Sequence, residues 1–231
     1  MNFGICLYPA NTLKFHLCFI LMKKFIDTFH YLTQDLPDKT HLQQVETACS
    51  QGAKWIQYRC LSKIDEEMLE ELHPIAAVCD DWGTTLIITN HVHLVHQADI
   101  QGVHIEDMDA DLSKIRTIIG DDKTLGASAN TIDQIKNHIK NGADYIGCGP
   151  YAITETKPNN SPLWNVNGYT LAVKALKHEG LSIPLIAAGG VNLEAIDELM
   201  ATGIHGVAAS AAVNKADDPA KAFKQFYQKL H

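Results

Sequence analysis

What this sequence lacks narrows its class first. Basic residues are in deficit: 19 Lys and Arg stand against 27 Asp and Glu, a formal net charge of −8 with His counted neutral. That balance argues against nucleic acid as a partner, although local donors can still hold small anions. No C-x-x-C pair occurs among the six cysteines, Cys6, Cys18, Cys49, Cys60, Cys79 and Cys148. A chain of 231 residues needs no disulfide staples, so these read as free thiols in a reducing compartment, which points to the cytoplasm. The apolar stretch "LCFILM" is far too short to span a bilayer. Lys23 and Lys24 follow it, whereas a signal peptide places its basic residues first. No membrane partner is therefore expected. Residues 1–21 read as a loosely ordered extension, or as sequence upstream of a start at Met22. Also missing is the glycine fingerprint of a dinucleotide-binding sheet: the first β-rich run continues as "FHYLTQDLPDKT".

What is present is repetition. From residue 28 onward a short apolar run is followed by a segment with helical spacing, about eight times over. The runs are Phe29–Leu32, Trp55–Tyr58, Leu86–Thr89, Gly102–Ile105, Thr124–Ala127, Tyr145–Gly149, Leu185–Ala188 and Val207–Ser210. Their nearly continuous apolar character is that of strands covered on both faces. Between them, Met68, Leu72, Ile75 and Cys79 mark one helical face with Asp65 as its expected N-cap. Ile132, Ile135 and Ile139 do the same behind Thr131. Asp218 caps a final helix that starts with Pro219 and buries Phe223 and Phe226. Strands alternating with helices in this way imply parallel pairing, and the economical closure is a single (β/α)8 TIM barrel over residues 22–231.

In such a barrel the chemistry gathers beyond the C-terminal ends of the strands. Those positions offer Gln57, Arg59 and Lys63, then Asn90 and His91, then Glu106, Asp107 and Asp109. Ser128 and Asn130 follow the fifth strand, and Thr154, Glu155, Thr156 and Lys157 the sixth. Gly189, Gly190 and Ser210 end the seventh and eighth. A glycine pair after strand seven and a small polar residue after strand eight suit a phosphate, because the main-chain N–H groups can approach it closely. Carboxylates beside Arg59 and Lys157 suggest a Mg²⁺-bound diphosphate, since that ion bridges carboxylate and phosphate oxygens.

The stretches "WIQYR", "TLIITN", "GVHI", "GADYIGCGP", "TETKP", "IPLIAAGGV" and "GVAAS" stand in the order seen in thiamine phosphate synthases. Over about residues 28–229 the chain resembles that superfamily, which includes the thiazole tautomerase TenI. The resemblance implies a (β/α)8 barrel that joins hydroxymethylpyrimidine diphosphate to a thiazole phosphate, forming thiamine phosphate and diphosphate. It implies that Gln57, Arg59, Asn90, Ser128 and Lys157 bind the pyrimidine diphosphate. Thr154, Glu155, Thr156 and Gly190 match the thiazole phosphate positions, and Asp109 one of two Mg²⁺ ligands. Arg59, Ser128 and Lys157 are the expected catalytic groups. A homo-oligomer is left open.

Three positions depart from the family pattern. Leu61 stands where a lysine is usual, with Lys63 two residues on. His91 replaces the second Mg²⁺ aspartate, and imidazole is a poor ligand for that ion. Ala211 takes the place of a serine, with Ser210 one residue early. These departures keep a catalytically silent or regulatory TenI-like relative as an alternative. A tautomerase would want a histidine near Asn130 and has none. His91, His93 and His96 invite a zinc site, but a solvated helix face, with His93 and His96 side by side, is the expected reading. Cys60 is expected to be an inert core or rim residue.

Overall fold

The computed structural model describes residues 24–153 and 162–231. Eight strands are found among them: β1 (Phe29–Leu32), β2 (Trp55–Tyr58), β3 (Thr85–Thr89), β4 (Gly102–Ile105), β5 (Thr124–Ala129), β6 (Tyr145–Cys148), β7 (Leu185–Ala187) and β8 (Gly206–Ala209). Each pairs in parallel with its neighbour in sequence, and β8 returns to β1, so the sheet closes into a barrel. The closing seam aligns Phe29 with Val207 and Tyr31 with Ala209.

The strands are joined by α1 (His41–Ser50), α2 (Asp65–Trp82), α3 (Leu94–Gln97), α4 (Leu112–Ile119), α5 (Ile132–Lys140), α6 (Asn165–His178) and α7 (Ile196–Met200). After β8 come the short α8 (Ala211–Asn214) and the terminal α9 (Pro219–Leu230). Local chemistry starts these helices where the sequence suggests. The Thr131 hydroxyl accepts the Gln134 N–H while the Gln134 amide oxygen accepts the Thr131 N–H, a reciprocal cap that satisfies two otherwise orphaned donors. The Asp218 carboxylate accepts from Lys221 N, with Pro219 pre-set for the first turn. One cap differs from expectation. Ile64 occupies the N-cap of α2, where Glu67 Oε2 accepts its N–H at 3.2 Å. The Asp65 carboxylate is turned instead to the side chains of His91 and His93.

The core has two layers, as alternation along barrel strands requires. Between strands and helices lies a large apolar cluster, in which Phe29 packs on Phe223 and Phe226 with ring centroids 5.1 and 5.3 Å apart. Inside the barrel Ile26, Trp55, Ile87, Tyr145 and Ile186 form a second cluster. This inner plug fills the lower barrel and leaves the upper inward positions to polar side chains. No described helix is long and apolar enough to cross a membrane. The expected extension over residues 1–21 lies outside the described residues.

Candidate active site

The upper barrel opens into a cavity lined by the ends of all the strands except β3. Of the strand-end candidates singled out in the sequence, it brings together Gln57, Arg59, Glu106, Ser128, Asn130, Gly189, Gly190 and Ser210. They come from five different strand ends, β2, β4, β5, β7 and β8. Thr154, Glu155, Thr156 and Lys157 lie outside the described residues.

Each wall has a physical origin. Arg59 is nearly buried, its Nε 3.0 Å from Glu106 Oε1. Its main-chain N–H donates to Thr33 Oγ1 at 3.0 Å, which ties the end of β2 to that of β1. The pair places a cation at the mouth and balances it while no anion is bound. Across the cavity the chain turns after β7 through Gly189 (φ +82°) and Gly190 (φ +72°). A Cβ at Gly190 would lie 2.8 Å from the Ala152 carbonyl oxygen, and one at Gly189 2.9 Å from Pro150 Cβ. Only glycine supplies both the left-handed backbone and the room. Beside them, α8 follows its N-cap Ser210, whose carbonyl accepts the Val213 and Asn214 N–H groups, so only the N–H groups of Ala211 and Ala212 precede the helix's own bonds. A phosphate seated there would meet main-chain donors.

The floor was not anticipated. His104, Tyr145 and His30 all line it. His104 Nε2 lies 3.0 Å from Ser128 Oγ and its Nδ1 3.0 Å from the Tyr145 hydroxyl. His30 stacks on Trp55 with centroids 4.3 Å apart. Burial, reinforced by repulsion from His104, pushes the His30 pKa far below its ordinary value. Burial, with nearby Asp144, drives the Tyr145 phenol well above its own. Both are therefore uncharged at neutral pH. Gln57 donates through Nε2 to Thr89 Oγ1 at 2.8 Å, which fixes the side-chain amide. The result is a floor of hydrogen-bonding rings, with His30 and Tyr145 uncharged, beneath a charged rim. The signal for it was a polar residue at an inward position of an apolar strand, His104 in "GVHI" and Tyr145 in "GADYIGCGP".

The remaining expectations are corrected by position. Asn90 does not line the cavity: its Oδ1 accepts the Glu106 N–H at 3.0 Å and its N–H bonds the His104 carbonyl, so it clamps β3 to β4. Lys63 does not stand in for the missing lysine, because its Nζ pairs with Glu71 Oε2 at 2.7 Å, and Leu61 is 65% exposed. His91 turns its Nδ1 to Asp65 Oδ1 at 2.8 Å, and His93 bonds the other oxygen of the same carboxylate at 2.7 Å. His96 goes elsewhere, to the Ile118 carbonyl, so the three histidines do not assemble. For Mg²⁺, the hard oxygen donors on the loop after β4 are Glu106, which lines the cavity and is engaged with Arg59, and Asp107 and Asp109, which are exposed beyond the lining. These suit an ion that takes one or two carboxylates and completes its shell with phosphate oxygens and water. His91 does not.

Residues 30–213 match the family model described as thiamine monophosphate synthase. The chain belongs to that family. The thiamine-phosphate synthase of Phocaeicola vulgatus is 35% identical over 189 residues, 82% of this chain and 91% of that relative. That of Flavobacterium johnsoniae is 32% identical over 201 residues, 87% of this chain and 95% of the relative. The solved thiamine phosphate pyrophosphorylase of Pyrococcus furiosus superposes with a TM-score of 0.77 at 25% identity, covering 88% of this chain and 95% of that one. The family match spans every strand-end residue that forms the cavity.

Proposed function

We propose that this chain is a thiamine-phosphate synthase, a transferase joining hydroxymethylpyrimidine diphosphate to a thiazole phosphate. The observation that carries this reading is the convergence of Arg59, Gln57, Ser128, the Gly189–Gly190 turn and Ser210 on one cavity of a family-matched barrel. The pyrimidine ring suits this floor, where Ser128, Gln57 and His104 offer hydrogen bonds in fixed directions. The diphosphate suits Arg59 at the rim, whose Nε and Nη groups can exchange Glu106 for phosphate oxygens. The thiazole phosphate suits the turn after β7 and the start of α8.

The bond from the pyrimidine methylene carbon to the diphosphate oxygen breaks, and both electrons leave with diphosphate. The thiazole nitrogen lone pair then forms the new C–N bond, giving the thiazolium. Between these events the methylene carries positive charge. A floor whose imidazole and phenol are held neutral by burial does not oppose that charge. Arg59 stabilises the departing anion, the role in which preorganised donors contribute most. Mg²⁺ would be held by Asp109 with phosphate oxygens, and when bound it would neutralise charge on the leaving group. The reaction would run in the reducing cytoplasm.

The test is purified chain with both substrates and Mg²⁺, followed for thiamine phosphate. Steady turnover is expected. Tight binding of either substrate with no product at high enzyme concentration would make the chain a non-catalytic relative.

A further inference from the structure

Behind the cavity wall lies a cluster that the proposed reaction does not use. Asp35 follows β1, His41 opens α1 and Cys60 follows β2. His41 and Cys60 are 3% and 5% exposed. His41 Nε2 lies 3.0 Å from Asp35 Oδ1, the Cys60 thiol donates to that oxygen at 3.3 Å, and the Ser62 hydroxyl does so at 2.9 Å. Cys60 Sγ and Ser62 Oγ are 3.7 Å apart. Ligands of a tetrahedral zinc ion, at 2.0–2.3 Å from the metal, stand about 3.3–3.7 Å from one another. The distances from Asp35 Oδ1 are within a few tenths of an ångström of that spacing, and the ligand atoms of Asp35, His41 and Cys60 all lie within 4.8 Å of one another.

We propose that Asp35, His41 and Cys60 form a binding site for Zn²⁺ or a similar borderline-soft divalent cation, with Ser62 or a water in the fourth position. The donor set of one thiolate, one imidazole and one carboxylate selects such a metal over Mg²⁺. The outer contacts are already those of a metal site. His41 Nδ1 lies 2.8 Å from Thr33 Oγ1, and Asp35 Oδ2 accepts the Leu61 N–H at 2.9 Å, so both ligands are oriented from behind. On binding, the Cys60 thiol proton leaves to solvent and His41 ligates through Nε2, keeping its remaining proton on Nδ1 for Thr33. One thiolate and one carboxylate then neutralise the dication. Ser62 and Asp35, exposed and half-buried, form the entry path. The site does not depend on the synthase reading. It does bear on Arg59, because Thr33 Oγ1 contacts both His41 Nδ1 and the Arg59 N–H.

The test is titration of the metal-free full chain with Co²⁺. The expected result is a near-ultraviolet thiolate-to-cobalt charge-transfer band with visible bands of four-coordinate cobalt, saturating at a single equivalent and bleached by Zn²⁺. Cys60→Ser abolishes the charge-transfer band, and His41→Gln weakens binding about tenfold or more. The double variant His91→Gln, His93→Gln, which empties the exposed Asp65 cluster of imidazole, leaves the band intact. In the unsubstituted chain, Zn²⁺ slows alkylation of Cys60, read by peptide mass, about tenfold. This arm decides the matter if a variant fails to fold. No band at excess Co²⁺, a band that survives Cys60→Ser or is lost with His91 and His93, or Cys60 alkylation indifferent to Zn²⁺ would overturn the proposal.

Discussion

Arg59 shows how much one side chain is asked to do at this mouth. Its main chain ties β2 to β1, its guanidinium faces Glu106, and in the proposed reaction it meets the leaving diphosphate. Arg59→Gln keeps part of the shape and removes the charge. Steady-state assays should show kcat lowered about 10²–10³-fold, as for other single preorganised donors to a developing anion. His30 supports a prediction of a different kind. Its pKa is strongly depressed by burial, so below its unfolded value of about 6.5 the unfolded chain takes a proton that the folded chain refuses. Stability contributed in this way is present above that pH and falls as pH drops from about 7 towards 5. His138 shifts in the same direction through burial. His41 shifts the opposite way, because its bonds to Cys60 and Asp35 outweigh burial. The effect of His30 is therefore read as a difference: thermal melts of His30→Gln should lose less stability on acidification than those of the parent chain. Equal slopes would contradict the assignment.

Among the elements, the turn from β7 and the start of α9 make contrasting predictions. Gly190→Ala places a side chain at φ +72°, with its Cβ against the Ala152 carbonyl. A cost of about 1–3 kcal/mol in denaturant unfolding is expected, with turnover falling as the turn shifts. Asp218→Ala removes one cap outside the cavity lining and should cost about 1 kcal/mol with turnover unchanged. The helix caps and strands were readable because their causes are local. Thr131 with Gln134, Asp218 with Pro219, and continuous apolar runs each carry their signal within a few residues. The expected Asp65 cap failed because a more distant pair, His91 and His93, claims that carboxylate. His104 and Tyr145 were missed for a related reason. They stand inside apolar strands, and which side of a strand faces the barrel axis is set only by closure of the whole sheet. Cys60 was read as inert because His41 and Asp35 lie on other elements and meet it only in the fold.

The whole molecule divides into a reactive upper end and a fastening lower end, the usual division of labour in such barrels. At the lower end Asp144 accepts from Lys24 Nζ at 3.0 Å, Arg116 Nη2 at 2.7 Å and the Leu125 N–H at 2.8 Å. It joins the approach to β1, helix α4 and the start of β5. Asp144→Ala should lower stability by about 1–3 kcal/mol, since it removes the acceptor shared by Lys24, Arg116 and the Leu125 N–H. The same variant should leave kcat and KM near those of the parent chain, because the Asp144 side chain is not among the groups that line the cavity. The barrel and the strand-end candidates such as Arg59, Ser128 and the Gly189–Gly190 turn followed from sequence pattern, while the floor of His30, His104 and Tyr145 and the cluster around Cys60 required the closed sheet. The most direct measurement is a crystal structure of the chain with hydroxymethylpyrimidine diphosphate. The ring should lie on His104, Ser128 and Gln57, with the diphosphate displacing Glu106 from Arg59. Ligand bound outside this cavity, or a diphosphate without contact to Arg59, would contradict the proposed site and the chemistry built on it.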